Sequence, residues 1–152
     1  MNYEKTLKFL VGFIGLYHLV IGAGLMFSAE FQRFAVSMYG ASFDWNVRDT
    51  YYIRVIGSFV LVLGSLALVA SKDPLKNWLF VLCYVEFFVL RDISRHLYSG
   101  ELYSGFAVTP FINIMTSAVF AIQAIALGLL IWLTRRGKAY NKSLNEIRAR
   151  VE

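Results

Sequence analysis

The stretch YIRVIGSFVLVLGSLALVA, residues 52–70, decides the fold because it is largely apolar and its only charged residue is one arginine. An α-helix rises about 1.5 Å per residue, so about 20 apolar residues cross the ~30 Å hydrocarbon core of a bilayer. Three further apolar runs of similar length lie at about 9–27, 78–98 and 106–133. Backbone groups in lipid must be satisfied within their own segment, which favours helices. The sequence therefore predicts an all-α integral membrane protein, with a four-helix transmembrane bundle forming one domain over residues 1–134.

The composition and the charge distribution agree with a membrane location. Of the 152 residues, 58% are hydrophobic and 16% are charged, whereas soluble domains are about 25% charged. Lysines precede the first run and lie between the second and third, and basic residues crowd the segment 135–152. The positive-inside rule places these three segments on the cytoplasmic side, so both termini are predicted there, with 135–152 as a basic tail. An anionic leaflet accounts for this charge, and no nucleic-acid partner is needed.

The two connections on the outer side differ in character. Residues 28–50 mix aromatic and aliphatic side chains with charges, which is too apolar for a solvated loop and too interrupted to span a bilayer. We expect a short interfacial helix in this first outer loop, at about 29–38, followed by a turn near Gly40. The second connection, YSGELYSG at 98–105, is predicted to be a turn rich in tyrosine and glycine at headgroup depth.

Small and polar residues recur at helical spacing within the apolar runs and predict which faces meet, because small residues let helices approach closely in lipid. In the first run these residues are Gly15, His18 and Gly22. In the second run Arg54 aligns with Gly57, and Gly64 lies alongside. The fourth run aligns Asn113, Thr116, Ser117, Phe120, Gln123 and Ala124.

The stretch LRDISRH, residues 90–96, places charges at the end of the third run. Arg91 and Arg95 share a helical face, and like charges four residues apart repel unless an anion lies against both. Counting from an outer boundary near Tyr98, they lie ~10 Å and ~5 Å deep. The sequence predicts a pocket in the outer half that binds an anionic amphiphile, a lipid headgroup or a quinone. Its candidate ligand-binding residues are Arg54, Arg91, Arg95, His18, Asn113, Asp92 and His96.

The paired arginines also admit two roles that need no bound ligand. Their side chains could extend to lipid phosphates while Asp92 and Asp49 neutralise them within the chain. Alternatively, this charged segment could dock on a partner membrane subunit, and the protein would then be a purely structural subunit of a larger complex. Charged residues within a membrane are functional candidates by default. The binding pocket is therefore kept as a hypothesis together with these two alternatives.

Glu86 lies apart from the arginines. It is ~18 Å below the outer boundary, on a face nearly opposite to theirs. An ionised carboxylate at this depth is costly, so Glu86 is expected to be protonated, paired or buried against a partner helix. It is therefore a candidate for a proton relay.

Neither catalytic residues nor metal ligands are predicted, because the sequence has no phosphate-binding glycine loop, no nucleophile motif and no cluster with metal-ligand spacing. An enzyme is not expected, although a membrane redox subunit using a quinone or b-type haem remains the alternative. A haem held by two histidines needs both imidazoles at similar depth, whereas His18 and His96 lie ~10 Å apart along the membrane normal. We expect His96 to pair with Asp92, and His18 to hydrogen-bond across helices with Asn113, Tyr17 or Gln123.

The segment RVIGSFVLVLGSLALVASKDP, residues 54–74, with its R-x-x-G-x(6)-G pattern, four apolar runs and a long aromatic first connection, resembles the DoxX-like small bacterial four-helix membrane proteins. The resemblance implies a bundle in the bacterial inner membrane, and some relatives are associated with quinone-linked or sulfur-linked redox complexes. Arg54 is the functional position that it carries over. The pair Arg91 and Arg95 departs from the pattern.

Overall fold

The computed structural model describes residues 3–42 and 45–151, and this part of the chain is helical without strands. The helices are α1 (Tyr3–Phe27), α2 (Ala29–Met38), α3 (Val47–Lys72), α4 (Trp78–Leu97), α5 (Ser99–Gly105) and α6 (Pro110–Val151). The predicted all-α class is thus confirmed.

Three helices in the described part are long and apolar enough to cross a membrane: α1, α3 and the portion Pro110–Tyr140 of α6. The remaining long helix, α4, has 20 residues but carries four charged residues, Glu86, Arg91, Asp92 and Arg95. These charges lower its apolar character, although its length suits a crossing. The structure therefore has three membrane-spanning candidates, where the sequence predicted four.

The connection between the first and second apolar runs contains the helix that the sequence predicts, since α2 covers Ala29–Met38. Ser28 caps it, because its Oγ accepts a hydrogen bond of 3.1 Å from the backbone N–H of Phe31. The chain then turns at Gly40, whose φ of 65° is in the left-handed region that glycine adopts most readily. A second bond, from Gln32 Nε2 to the carbonyl oxygen of Leu25 at 2.6 Å, holds α2 against the end of α1.

The second connection corrects the prediction of a turn at 98–105. These residues form the short helix α5, because the backbone N–H of Leu102 donates to Tyr98 and that of Phe106 donates to Leu102. The basic tail continues the helix of the fourth apolar run, because α6 extends without a break to Val151.

Helices α1 and α3 pack through glycines. A Cβ atom added at Gly22 would overlap the backbone nitrogen of Leu61, and one added at Gly64 would overlap that of Leu19. The two backbones therefore lie closer than larger side chains would allow, as is common between helices in lipid. The predicted contact faces of α1 and of the glycines in α3 are confirmed.

The prediction that Arg54 lies on the packing face of α3 is wrong. Arg54 is exposed, and the buried stripe consists of Ile53, Gly57, Val60, Gly64, Ala67 and Ala70. Successive helical residues are rotated by about 100°, so a stripe centred on Ile53 turns Arg54 away from α1.

Helices α4 and α6 complete the core with aromatic and aliphatic side chains. The rings of Phe88 and Phe120 are stacked with centroids 6.1 Å apart, and both side chains are buried. Tyr84 is buried too, and its hydroxyl donates a hydrogen bond to the carbonyl oxygen of Leu63, which ties α4 to α3. The stripe predicted for α6 is confirmed, since Asn113, Ser117, Phe120 and Ala124 are buried.

Charged contacts mark one end of the bundle. Glu4 at the start of α1 forms ion pairs with Lys8 at 3.1 Å and with Lys138 of α6 at 3.2 Å. Arg135 of α6 lies 4.3 Å from the ring centre of Trp78 at the start of α4. The basic segments therefore share this end, and α2 and α5 lie at the opposite end.

Candidate functional site

Two cavities lie at the end of the bundle that carries α2 and α5. Cavity A has a volume of about 350 Å³ and is lined mainly by apolar side chains, including Ile21, Leu25, Ile53, Ile56 and Val60. Cavity B has a volume of about 460 Å³ and lies against α6, where Ile112, Met115, Thr116, Val119 and Gln123 line it. Both volumes are in the range of small-molecule sites, which is about 300–1,000 Å³.

Four residues line both cavities and form what we call the shared wall: Tyr17, His18, Tyr39 and Arg91. They come from α1, from α4 and from the C-terminal end of α2. The wall joins a cation, an imidazole and two phenols to cavities that are otherwise mostly apolar. This combination suits a ligand with a polar head and an apolar body.

Arg91 is held by aromatic rings. Its Cζ lies 4.6 Å from the ring centre of Phe120, and 5.7 Å and 5.8 Å from those of Tyr39 and Phe87. Cations bind to aromatic faces at these distances. The rings position the guanidinium without cancelling its charge, so an anion can still bind to it.

Arg95 lines cavity A and is anchored on one side. Its Nε donates a hydrogen bond of 2.9 Å to Oδ1 of the buried Asn113, whose Nδ2 in turn donates to the hydroxyl of Tyr103 at 3.3 Å. Its Nη2 is buried and has no hydrogen-bond partner among the described residues. Arg95 therefore contributes to the lining of cavity A while one of its nitrogens stays buried and unsatisfied within the protein.

Within the described residues, neither Arg91 nor Arg95 forms an ion pair with a carboxylate. The alternative in which Asp92 and Asp49 neutralise them is thus not observed there. Asp92 lies instead 3.8 Å from Nε2 of His96, the pairing predicted from their spacing. Asp92 attracts Arg95 at longer range, but neither arginine has a carboxylate within ion-pair distance among the described residues.

His18 is only 5% exposed and corrects a further prediction. Its Nδ1 donates a hydrogen bond of 2.8 Å to the carbonyl oxygen of Ile14, one turn earlier in α1, in place of the expected bond to another helix. Aromatic rings surround the imidazole, with centroid distances of 5.5 Å to Tyr17 and 5.7 Å to Tyr84. The imidazole is thus fixed in the wall by its own helix and by ring packing.

The structure brings together some of the predicted site residues. His18, Arg91 and Arg95 line cavity A. Asn113 does not line it but accepts a hydrogen bond from Arg95. Asp92 lines neither cavity but keeps a buried Oδ1 that has no hydrogen-bond partner in the described part. Two predicted residues, Arg54 and His96, are exposed and line neither cavity.

Two tyrosines belong to the site although the sequence did not predict them there. Tyr39 is at the C-terminal end of α2, which the hydrogen bond from Gln32 holds against the end of α1, and Tyr17 precedes His18 on α1. The signal in the sequence was the apolar character of 28–50, which indicates a segment that packs on the protein. The aromatic residues of this segment were expected at the membrane interface only.

The remaining candidates do not join the cavities. His96 lies outside both cavities, whereas His18 lines both of them. No group of three or more His, Cys, Asp or Glu side chains suited to a metal ion occurs in the described part of the chain. Glu86 and Cys83 are exposed on α4, on the surface that faces away from the core.

The site combines two cations with an apolar surface. Two guanidiniums supply charge and directed donors, which suit phosphate or carboxylate groups. The phenols and the imidazole add polar contacts, and the aliphatic lining favours a hydrocarbon body.

Comparison of the chain with protein-family models, with curated proteins and with solved structures finds no match.

Proposed function

We propose that this small multi-pass membrane protein acts as an accessory or binding subunit that holds an anionic amphiphile, a lipid headgroup or a quinone, in cavity A. One observation carries the proposal: Arg91 and Arg95 line an apolar cavity and have no carboxylate partner among the described residues. Two unpaired like charges one turn apart are costly in a membrane. An acidic headgroup between them removes this cost.

The proposed ligand would reach cavity A from the bilayer. Ile56 lines the cavity and is 54% exposed at the protein surface, on a helix that is apolar enough to span. A hydrocarbon chain can pass along this surface without crossing water. The apolar residues around the arginines, such as Ile53 and Val60, then contact the chain.

The proposal includes four membrane crossings, with α4 as the fourth and both termini cytoplasmic. Residues 73–77 connect α3 to α4 directly, and the buried Tyr84 and Phe88 pack α4 into the core. The ion pair between Glu4 and Lys138 supports placing the two terminal segments on one side. The resemblance to the DoxX-like proteins suggests the bacterial inner membrane as the location.

Native mass spectrometry of the protein purified in mild detergent tests this function, with extraction and identification of its bound small molecules. The variant with Arg91→Ala and Arg95→Ala is compared with Arg54→Ala, which removes an exposed arginine outside both cavities. Charge-assisted hydrogen bonds contribute about 1.5–3 kcal/mol each, so we expect occupancy to fall at least about tenfold in the double variant. Arg54→Ala should retain the ligand.

Equal retention by the folded double variant and the wild-type protein would overturn the binding proposal. Purification with a stable partner chain and no small molecule would also overturn it, and would favour a structural subunit that uses these charges for assembly.

A further inference from the structure

The shared wall has a geometric consequence for the ligand. Cavity A extends from Arg91 towards α3, where Ile53 and Val60 line it. Cavity B extends from the same arginine towards α6, where Met115 and Val119 line it. The charged group therefore lies at the junction of two apolar cavities.

Both cavities also reach the outer surface of the bundle. Ile56 of cavity A and Val119 of cavity B are 54% and 49% exposed, and both belong to membrane-spanning candidates. A chain in either cavity can continue into the surrounding bilayer. Neither cavity therefore limits the length of a hydrocarbon chain.

We propose that the ligand is a diacyl phospholipid with an acidic headgroup, bound with its phosphate at Arg91 and Arg95 and with one acyl chain in each cavity. This inference rests on the proposed function and specifies its ligand. A phosphate offers several oxygens to two guanidiniums, in the fork geometry that arginine favours. The glycerol backbone, from which the two chains diverge, then lies beside the shared wall.

A single-chain amphiphile fits this geometry less well. Its chain would occupy one cavity and leave the lining of the other without contacts, which loses the dispersion energy of those side chains. In a bilayer or a micelle the chain is apolar in both places, so packing against the cavity decides the preference. The second chain should therefore strengthen binding.

The first test uses the delipidated wild-type protein in mild detergent. Titrations followed by native mass spectrometry compare diacyl phosphatidic acid, lysophosphatidic acid with the same chain, and diacyl phosphatidylcholine. We expect the diacyl acid to bind at least about tenfold more tightly than the single-chain acid, because it fills both cavities. Phosphatidylcholine should bind more weakly than the diacyl acid, because its choline adds a positive charge near the arginines.

Substitutions that fill one cavity at a time give the second test. Val119→Trp obstructs cavity B, and its matched control is Val62→Trp, at a similarly exposed valine of α3 outside both cavities. Ile56→Trp obstructs cavity A, and Ile125→Trp is its control on the surface of α6. We expect each cavity variant to reduce the preference for the diacyl acid, whereas the controls preserve it. All four substitutions replace exposed side chains, and thermal unfolding checks that each variant folds.

The outcomes separate this inference from the proposed function. Equal affinities for the diacyl and single-chain acids, both lost in Arg91→Ala, would overturn the two-chain ligand and leave the binding function in place. A preference for the diacyl acid that survives in Val119→Trp would also overturn it. Binding of every acidic probe that is unchanged by Arg91→Ala would overturn both.

Discussion

Nε of Arg95 donates a hydrogen bond of 2.9 Å to Oδ1 of Asn113, which is only 1% exposed, and this bond joins α4 to α6 beside cavity A. The asparagine thus orients the guanidinium without neutralising it. A carboxylate at the same position would orient it equally well but would cancel its charge.

Asn113→Asp should therefore separate folding from binding. We expect its thermal unfolding to match or exceed that of the wild-type protein, while its retention of an acidic ligand falls about tenfold, since a charged hydrogen bond of this kind contributes about 1.5–3 kcal/mol. Asn113→Ala leaves Arg95 without its partner and should lower the free energy of unfolding by about 1–3 kcal/mol. Full retention of the acidic ligand in Asn113→Asp would contradict this account of the site.

Gly64→Ala should weaken the contact between α1 and α3. The new Cβ would meet the backbone of α1 at Leu19, which cannot rotate away as a side chain can. Overpacking of this kind costs about 1–3 kcal/mol, measurable as a lower midpoint of thermal unfolding in detergent. Gly128→Ala on α6 is the control, because nothing lies within 4 Å of its added Cβ. If both variants unfolded at the same temperature, the close approach of α1 and α3 would be wrong.

Glu86→Leu should stabilise the protein and leave ligand retention unchanged. Glu86 is exposed on α4 and lines neither cavity, so in the proposed topology its carboxyl faces lipid. A charged residue near the middle of a crossing costs about 2.5–3.5 kcal/mol on insertion scales, and an aliphatic side chain removes this cost. Thermal unfolding measures the gain, and Glu101→Leu in α5 should show none. Loss of the bound ligand in Glu86→Leu would instead support a role in proton transfer or assembly.

The connection between α3 and α4 predicts a dependence of stability on pH. The backbone N–H of Lys76 donates to Oδ1 of Asp73 at 3.1 Å, and this bond holds the pKa of the carboxyl below its ordinary value of 3.8. A lowered pKa contributes stability above the ordinary pKa, and that contribution is lost as pH falls through the lowered one. Asp73→Ala should thus unfold at a lower temperature than the wild-type protein at neutral pH, and the difference should shrink on acidification. Asp73→Asn keeps an acceptor oxygen and should remove most of the pH dependence. A difference that stays constant down to acidic pH would rule out the carboxyl.

Labelling with a membrane-impermeant maleimide tests the fourth crossing. In a Cys83→Ser background, Ser104→Cys places a thiol in α5 and Lys76→Cys places one between α3 and α4, and both native side chains are at least partly exposed. If α4 crosses the membrane, intact cells should label the first variant, and the second should react only after permeabilisation. Labelling of both thiols from the same side would mean that α4 does not cross.

The face of α1 could be predicted from the sequence, but that of α3 could not be predicted in full. Glycines at 15, 22 and 64 show where two helices approach, because the absence of a side chain has few other uses within an apolar helix. The exposure of Arg54 was missed since the residues that face lipid and those that face the core are equally apolar in such a helix. Its buried stripe through Ile53 and Val60 therefore leaves no periodic signal.

The cavities could not be predicted in full from local sequence patterns, because they form only when the helices pack together. The spacing of Arg91 and Arg95 predicted a shared face and a missing anion. Tyr39 joins them because the capping bond at Ser28 and the hydrogen bond from Gln32 to α1 hold α2 against the bundle. Neither contact follows from hydrophobic periodicity.

The shared wall draws its residues from α1, α4 and the end of α2, so a headgroup bound there would connect all three at once. Anything that binds the folded chain and not the unfolded one adds to stability in proportion to the logarithm of its concentration. The acidic lipid content of the host membrane would then act as a folding cofactor. Cells that remodel their phospholipids would change how much of this protein survives quality control, with no change in its sequence or its expression.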